Sequence, residues 1–230
     1  MSVPPPSLAA LMEEVTSCFA CPRLVEWREK VAREKRASFA GQTYWGRPVP
    51  SFGDAAAKVL VIGLAPAAHG GNRTGRIFTG DRSADWLFGS MHRTGFANQA
   101  LSVSVDDGLR LTGAWVTAPV RCAPPDNKPT IDERDTCFPY LLREMGLLPE
   151  VSVLIALGGF AWDAALRAAV ALGEERPRPK PRFGHGREVP LGRYRLLGCY
   201  HVSQQNTFTG RLTERMLDDV FLRARALAEL

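Results

Sequence analysis

This sequence predicts an α/β fold, a three-layer sandwich with a central four-stranded parallel sheet. Two observations carry that expectation. Four short apolar runs, rich in Val, Leu and Ile, lack the polar alternation of a half-exposed sheet and so read as strands buried on both faces. Helical segments stand between them, which implies βαβ units with right-handed crossovers. The length of 230 residues suits a single domain, 1–230, in which residues 1–57 form an N-terminal arm.

The elements follow in order. After a Pro-rich start, residues 8–15 read as a short helix that runs into Cys18-Phe-Ala-Cys21-Pro. Residues 25–36 carry alternating charges, the mark of an exposed helix. Residues 37–54 are rich in Gly, Pro and aromatics and show no period. The first strand is 58–64. A loop of Gly, Asn, Arg and Thr leads to a helix at 83–94. The second strand is 114–120, with Pro119 weakening its end. Residues 130–145 are helical, with Thr130 as N-cap and Asp132 and Glu133 in the first turn. The third strand is 151–157, and a helix at 160–172 follows it. The fourth strand is 195–201, and a helix at 212–228 closes the chain. In such sheets, function gathers in loops beyond the carboxyl ends of the strands, here the loops that begin at Ala65, Arg121, Gly158 and His201.

Composition narrows the classes. The chain is 45% hydrophobic and 23% charged, as in globular proteins. No apolar run is long enough for a membrane span, and the N-terminus lacks the basic and apolar regions of a secretory signal, so a cytoplasmic, nucleoid-associated protein without a membrane partner is expected. Net charge is +5, and Lys occurs only at 30, 35, 58, 128 and 180, so Arg dominates the basic residues. Arg is the better bidentate phosphate ligand, which permits a nucleic-acid partner, although genomic base composition produces the same bias. Residues 174–195 form a basic, Pro-studded surface loop, either merely solvated or in contact with DNA.

Five cysteines in such a chain argue against a disulfide framework. Cys18 and Cys21 are a tight pair, and Cys122 and Cys137 a loose one. Four thiolates from separate segments suit either a tetrahedral zinc or a [4Fe–4S] cluster, and the loose second pair favours the cluster. Cys199 lies inside the fourth strand and reads as a core thiol.

Three loops carry candidate chemistry. The first, G-L-A-P-A-A-H-G-G-N-R-T-G-R-I-F-T-G-D over residues 63–81, brings glycines that allow close backbone approach, with Asn72, Arg73, Thr74 and Arg76 able to bond phosphates. It matches neither the P-loop nor the dinucleotide fingerprint. The second is R-C-A-P-P-D-N-K-P-T from Arg121, and the third H-V-S-Q-Q-N-T from His201.

Together these motifs and the four cysteines resemble the uracil-DNA glycosylase superfamily, most closely its iron–sulfur type B branch, family 5, from Cys18 to about Arg211. The resemblance implies a uracil-DNA glycosylase-like fold. It also implies a monofunctional DNA glycosylase of base excision repair, a monomer that excises uracil and deaminated purines such as hypoxanthine and xanthine from double- and single-stranded DNA. By resemblance, Cys18, Cys21, Cys122 and Cys137 hold a [4Fe–4S] cluster. Gly63, Leu64, Ala65, Ala67, Ala68, Phe78 and Ala118 form the base pocket, in which Phe78 stacks on the flipped base. His201 donates to the leaving base, and Ser203, Gln204, Gln205 and Asn206 form the loop that enters the duplex. His69, Asn72, Arg73, Thr74, Arg76 and Lys128 complete the expected DNA contacts.

Two departures from the uracil-specific branches stand out. Ala67 and Ala68 occupy the slot of a polar water-activating residue, and Ala118 that of an Asn reading the uracil edge. A pocket without a discriminating hydrogen bond rejects other bases weakly. Asp81 is then the candidate that orients water, with helix capping as its alternative role. Asn127 bonds the base or the water, or merely serves a turn, and Phe78 is otherwise core filler. Only Lys128 lies near these loops, so a Schiff-base lyase is not expected. Clustered His and carboxylate ligands are absent, which disfavours a metallohydrolase. An iron–sulfur DNA-binding or electron-transfer module without glycosylase activity is the non-enzymatic alternative.

Overall fold

The computed structural model describes residues 7–230, so the Pro-rich start lies outside the described residues. Its sheet has six strands: β1 (Phe52–Gly53), β2 (Val59–Ile62), β3 (Ala114–Thr117), β4 (Val153–Leu157), β5 (Glu188–Leu191) and β6 (Tyr194–Cys199). They lie in the order β1-β3-β2-β4-β6-β5. The four central strands are the expected apolar runs, and all their pairings are parallel. Two antiparallel edges were not expected, β1 on β3 and β5 on β6. Each hides from a sequence pattern for a physical reason: β1 has two residues, and β5 sits in the basic segment and contains Pro190, which only an edge strand tolerates.

The period-2 alternation sorts each strand's side chains to two faces. Val59, Val61, Val116, Ile155 and Leu197 enter one apolar cluster with α4 (Arg82–Arg93) and α8 (Glu214–Leu227). Leu60, Ile62, Trp115, Leu154 and Leu196 enter another with α5 (Ile131–Gly146) and α6 (Gly159–Ala171). This is the expected three-layer sandwich. The remaining helices are α1 (Leu8–Thr16), α2 (Pro22–Glu34), α3 (Gly71–Thr74) and α7 (Gln204–Phe208).

The N-terminal arm is tied in at several points. Leu8 and Met12 of α1 pack on the α5–α6 side, and Arg143 grips Glu14 at 2.6 and 2.7 Å. Arg23 of α2 reaches Glu133 with two bonds of 2.7 Å, while Glu133 and Thr130 complete the capping box that starts α5. Under the sheet, the buried Glu144 accepts from Trp115, Thr117 and Arg121. Arg121 also donates to Ser51, so one buried network joins α5, β3 and the segment before β1.

Candidate active site

The carboxyl ends of β2, β3, β4 and β6 bring Gly63, Ala118, Gly158 and His201 to one rim of the sheet. Phe78 returns from the first loop and lays its ring on Gly63: a Cβ there would stand 2.7 Å from Phe78 Cζ. The ring lies 6.1 Å from the His201 imidazole, centroid to centroid, inclined by 37°. Phe78 holds a left-handed backbone, φ 50°, a conformation that costs a bulky side chain of order 1–3 kcal/mol and recurs at functional sites. Ala118 is fully buried on the same side of the sheet as Phe78, because Thr117 before it turns to Glu144 on the other side.

His201 has only a partial opening to solvent, and the lost solvation pushes its pKa down to about 4. Its imidazole is therefore neutral at physiological pH. Its carbonyl accepts from Asn206 Nδ2 at 2.8 Å, which clips α7 back onto the site. Gln204 and Gln205 point into solvent from the first turn of α7, and Ser203 is its N-cap residue.

Asp81 combines the two roles weighed from sequence. Oδ1 accepts from the Ala84 amide at 3.1 Å, which caps α4. Oδ2 leans over the first loop, where only a glycine fits: a Cβ on Gly70 would meet it at 2.0 Å, beside the Ala67 methyl. One oxygen thus caps the helix while the other faces the slot that Ala67 leaves apolar. Burial raises the Asp81 pKa above the usual carboxylate value.

The other polar residues of the first loop face inward, contrary to the expected phosphate contacts. Arg73 donates to the His69 and Gly80 carbonyls and to Gln42, and stacks on Phe39 at 4.0 Å. Arg76 is buried, bonds Thr79 and Ser102, and pairs with Asp107 at 2.7 Å. Asn72 is buried and donates to the Arg28 carbonyl at 3.1 Å, while the Thr74 hydroxyl bonds the Gly70 carbonyl. These four brace the loop. His69 bonds Tyr44 through Nδ1 at 3.0 Å, and burial with nearby Arg36 and Arg73 lowers its pKa. Leu64, Ala65 and Ala68 are partly exposed along the same loop. Asn127 and Lys128 are exposed in a turn where Asp126 and Asn127 both have positive φ, and no hydrogen bond ties the Asn127 side chain to Asp81 or His201. Sequence reasoning missed His185, which stacks on Tyr200 at 4.9 Å and accepts its amide, next to His201. No local signal marks it, since the contact comes from a distant loop.

Cys18, Cys21, Cys122 and Cys137 line one small cavity beyond β3, together with Arg28 and Tyr140. Arg28 is fully buried and donates Nη1 to Cys122 Sγ at 3.0 Å and to the Cys18 carbonyl at 3.1 Å. Its Nε and Nη2 have no partner. A buried guanidinium with two idle donors calls for a counter-charge. Among the described residues no three His, Cys, Asp or Glu side chains converge as ligands of a single metal ion. Cys199 is buried in β6 as a core thiol, and burial pushes its pKa up to about 12.

A three-layer fold that sets a histidine, an aromatic ring and a carboxylate at the sheet's carboxyl rim defines a class, and the chain belongs to the uracil DNA glycosylase superfamily, whose family model matches residues 50–225. It is similar to the Type-5 uracil-DNA glycosylase of Mycobacterium bovis, 57% identical over 224 residues, which is 96% of this chain and 82% of the relative. The Type-5 enzyme of Thermus thermophilus is 50% identical over 222 residues, 96% of this chain and 98% of the relative. That of Pyrobaculum aerophilum is 43% identical over 215 residues, 94% and 91% of the two chains. Identity over nearly the whole length places the chain in the type-5 branch, as a glycosylase that hydrolyses N-glycosidic bonds.

Proposed function

We propose that this protein removes uracil, and also hypoxanthine and xanthine, from DNA, leaving an abasic site without cutting the strand. The observation that carries the reading is a neutral His201 held beside the Phe78 ring at the strand ends. N-glycosidic cleavage develops positive charge on the sugar and negative charge on the departing base. The base is flipped out of the stack at a cost of a few kcal/mol, least when it is mispaired, and lies against Phe78. The C1′–N bond breaks as His201 donates a hydrogen bond to the base carbonyl, where the charge gathers. A neutral imidazole keeps one N–H, so it stabilises the anion by a hydrogen bond without first having to be protonated, and such preorganised donors are worth roughly 3 kcal/mol. Asp81 Oδ2 orients the water whose oxygen bonds C1′, and accepts its proton. Ala67, Ala68 and Ala118 offer no polar group that would reject a purine.

The four cysteines hold a [4Fe–4S] cluster in this reading. The fit rests on the donors: four thiols on one cavity, and a buried Arg28 whose idle N–H groups suit an anionic cluster. When bound, it supplies a covalent staple between the arm and the loop after β3. The protein works as a monomeric single domain in the cytoplasm, on the nucleoid.

Duplexes carrying uracil, hypoxanthine or xanthine, with alkali to reveal abasic sites, test the activity. Release of uracil and at least one purine, with nicks only after alkali, is the expected result. Release of none by iron-loaded protein refutes it, and a nick without alkali refutes the monofunctional part. Iron analysis of Cys137→Ser against wild type tests the ligand set.

A further inference from the structure

The connection between α6 and β5 has no part in the chemistry above. Residues 174–182 read Glu-Glu-Arg-Pro-Arg-Pro-Lys-Pro-Arg, so from residue 176 a cation stands at every second position with proline between. Lys180 is paired with Asp163 at 2.7 Å. Arg176, Arg178, Arg182 and Arg187 are exposed, and among the described residues none has an acidic partner or a side-chain hydrogen bond. Arg93, Arg143 and Arg223 pair with Asp218, Glu14 and Glu188, while other exposed arginines such as Arg47, Arg82 and Arg211 stand singly without an acid, so what sets this arm apart is the density of its cations. Crowding four exposed guanidinium groups raises a strongly positive local potential, which a polyanion from outside the chain would offset.

The same four arginines line one open trough of about 1110 Å³, walled on its other side by Val189 and Pro190. A drug-sized ligand wants an enclosed, mostly apolar pocket. This trough instead offers a row of cations to a long polyanion. Pro177, Pro179 and Pro181 restrict the segment before anything binds, which lowers the ordering cost of binding.

The root of the arm leads to the active rim. Gly186 donates to the Gly198 carbonyl at 2.7 Å, and Gly198 donates to the Arg187 carbonyl at 2.8 Å. Phe183 packs on Tyr200 at 6.3 Å, one residue before His201. The arm's root therefore meets the carboxyl end of β6, beside the base site, while the trough runs from there along β5 toward the amino end of β6, where Leu191 pairs with Tyr194.

We propose that this arm is a second phosphate-backbone contact, gripping the duplex beyond the flipped nucleotide. The inference rests on the DNA-directed reading given above. Continuity of the arm's root with the end of β6, two residues before His201, favours nucleic acid over an acidic protein segment.

The test uses the full chain and the variant Arg176→Gln/Arg178→Gln/Arg182→Gln, with anisotropy of labelled, undamaged duplexes of increasing length across a salt series. Each phosphate contact contributes about 0.9 to the slope of log K against log salt. The variant is expected to lose about 2 to 3 from that slope, to bind at least ~10-fold more weakly at low salt, and to gain nothing from a longer duplex. An unchanged slope and affinity for DNA overturn the proposal, whether or not the variant loses binding to a poly-glutamate peptide. If the triple variant fails to fold, the single reversal Arg178→Glu is read the same way. Uracil release by the wild type is measured in parallel. Loss of that release with the slope difference intact would count against the base-excision reading and leave the arm standing.

Discussion

His201 offers the most direct test of the site because burial alone accounts for its state. Its pKa is pushed down to about 4, against the ordinary histidine value of about 6.5. An unfolded chain takes up a proton near pH 6.5, whereas the folded chain resists until about 4. Stability is therefore complete above the unfolded value and is lost as pH falls through the window between the two. At 1.36 kcal/mol for each unit of separation, His201 accounts for up to about 3 kcal/mol of destabilisation between pH 7 and pH 4. His69 and His185 are lowered too, so the wild type alone does not isolate it. The difference between wild type and His201→Gln does: urea unfolding across that range should show the wild type losing up to about 3 kcal/mol more than the variant. In NMR the His201 ring protons should hold their neutral shifts down to about pH 5, and single-turnover excision should show no His201 limb near pH 6.5. Titration of His201 near 6.5, with matching acid sensitivity in both proteins, would refute the neutral-donor argument.

Three further predictions address the residues around it. Asp81→Asn keeps the cap on α4, so thermal stability holds, but it removes the water-orienting charge, and single-turnover excision should fall by about 10²-fold or more. The acid limb of the wild-type rate, placed above the ordinary carboxylate range by burial of Asp81, should vanish in the variant, and a rate within about threefold of wild type counts against its role. Gly63→Ala drives a methyl into the Phe78 ring, which should cost about 1–3 kcal/mol in denaturant melts and up to ~10²-fold in excision; equal activity would place the flipped base elsewhere. Glu144→Ala leaves Arg121 buried without its carboxylate and should lower unfolding free energy by about 3–5 kcal/mol, whereas a change below about 1 would mean that the network is not holding the sheet to α5.

How much of this was legible in the sequence follows from where the forces act. The four parallel strands are buried on both faces, so burial writes unbroken Val, Leu and Ile runs that need no tertiary knowledge to read. The two edge strands meet only one neighbour each and leave no such trace. The positions of Phe78 and His201 follow from motif and strand end, and so does the grouping of the cysteines. The first loop's polar residues were misread for a physical reason. An Arg among glycines looks like a phosphate ligand, but Arg73 and Arg76 bond Gln42 and Asp107, each 31 residues away, and nothing local announces such partners. The glycines carried more than their loop signature suggested: Gly63 and Gly70 mark where an aromatic ring and a carboxylate press against backbone.

The inward-facing arginines of that loop also bear on timing. A glycine-rich stretch that had to fold around each new base would slow every encounter and subtract ordering entropy from every binding event. Here Arg73 and Arg76 fasten it to two other segments of the chain, through Gln42 on one side and Ser102 and Asp107 on the other, before DNA arrives. On the proposed reading, the base would meet a receptor already assembled, and no encounter with a duplex would carry the entropy cost of ordering this loop.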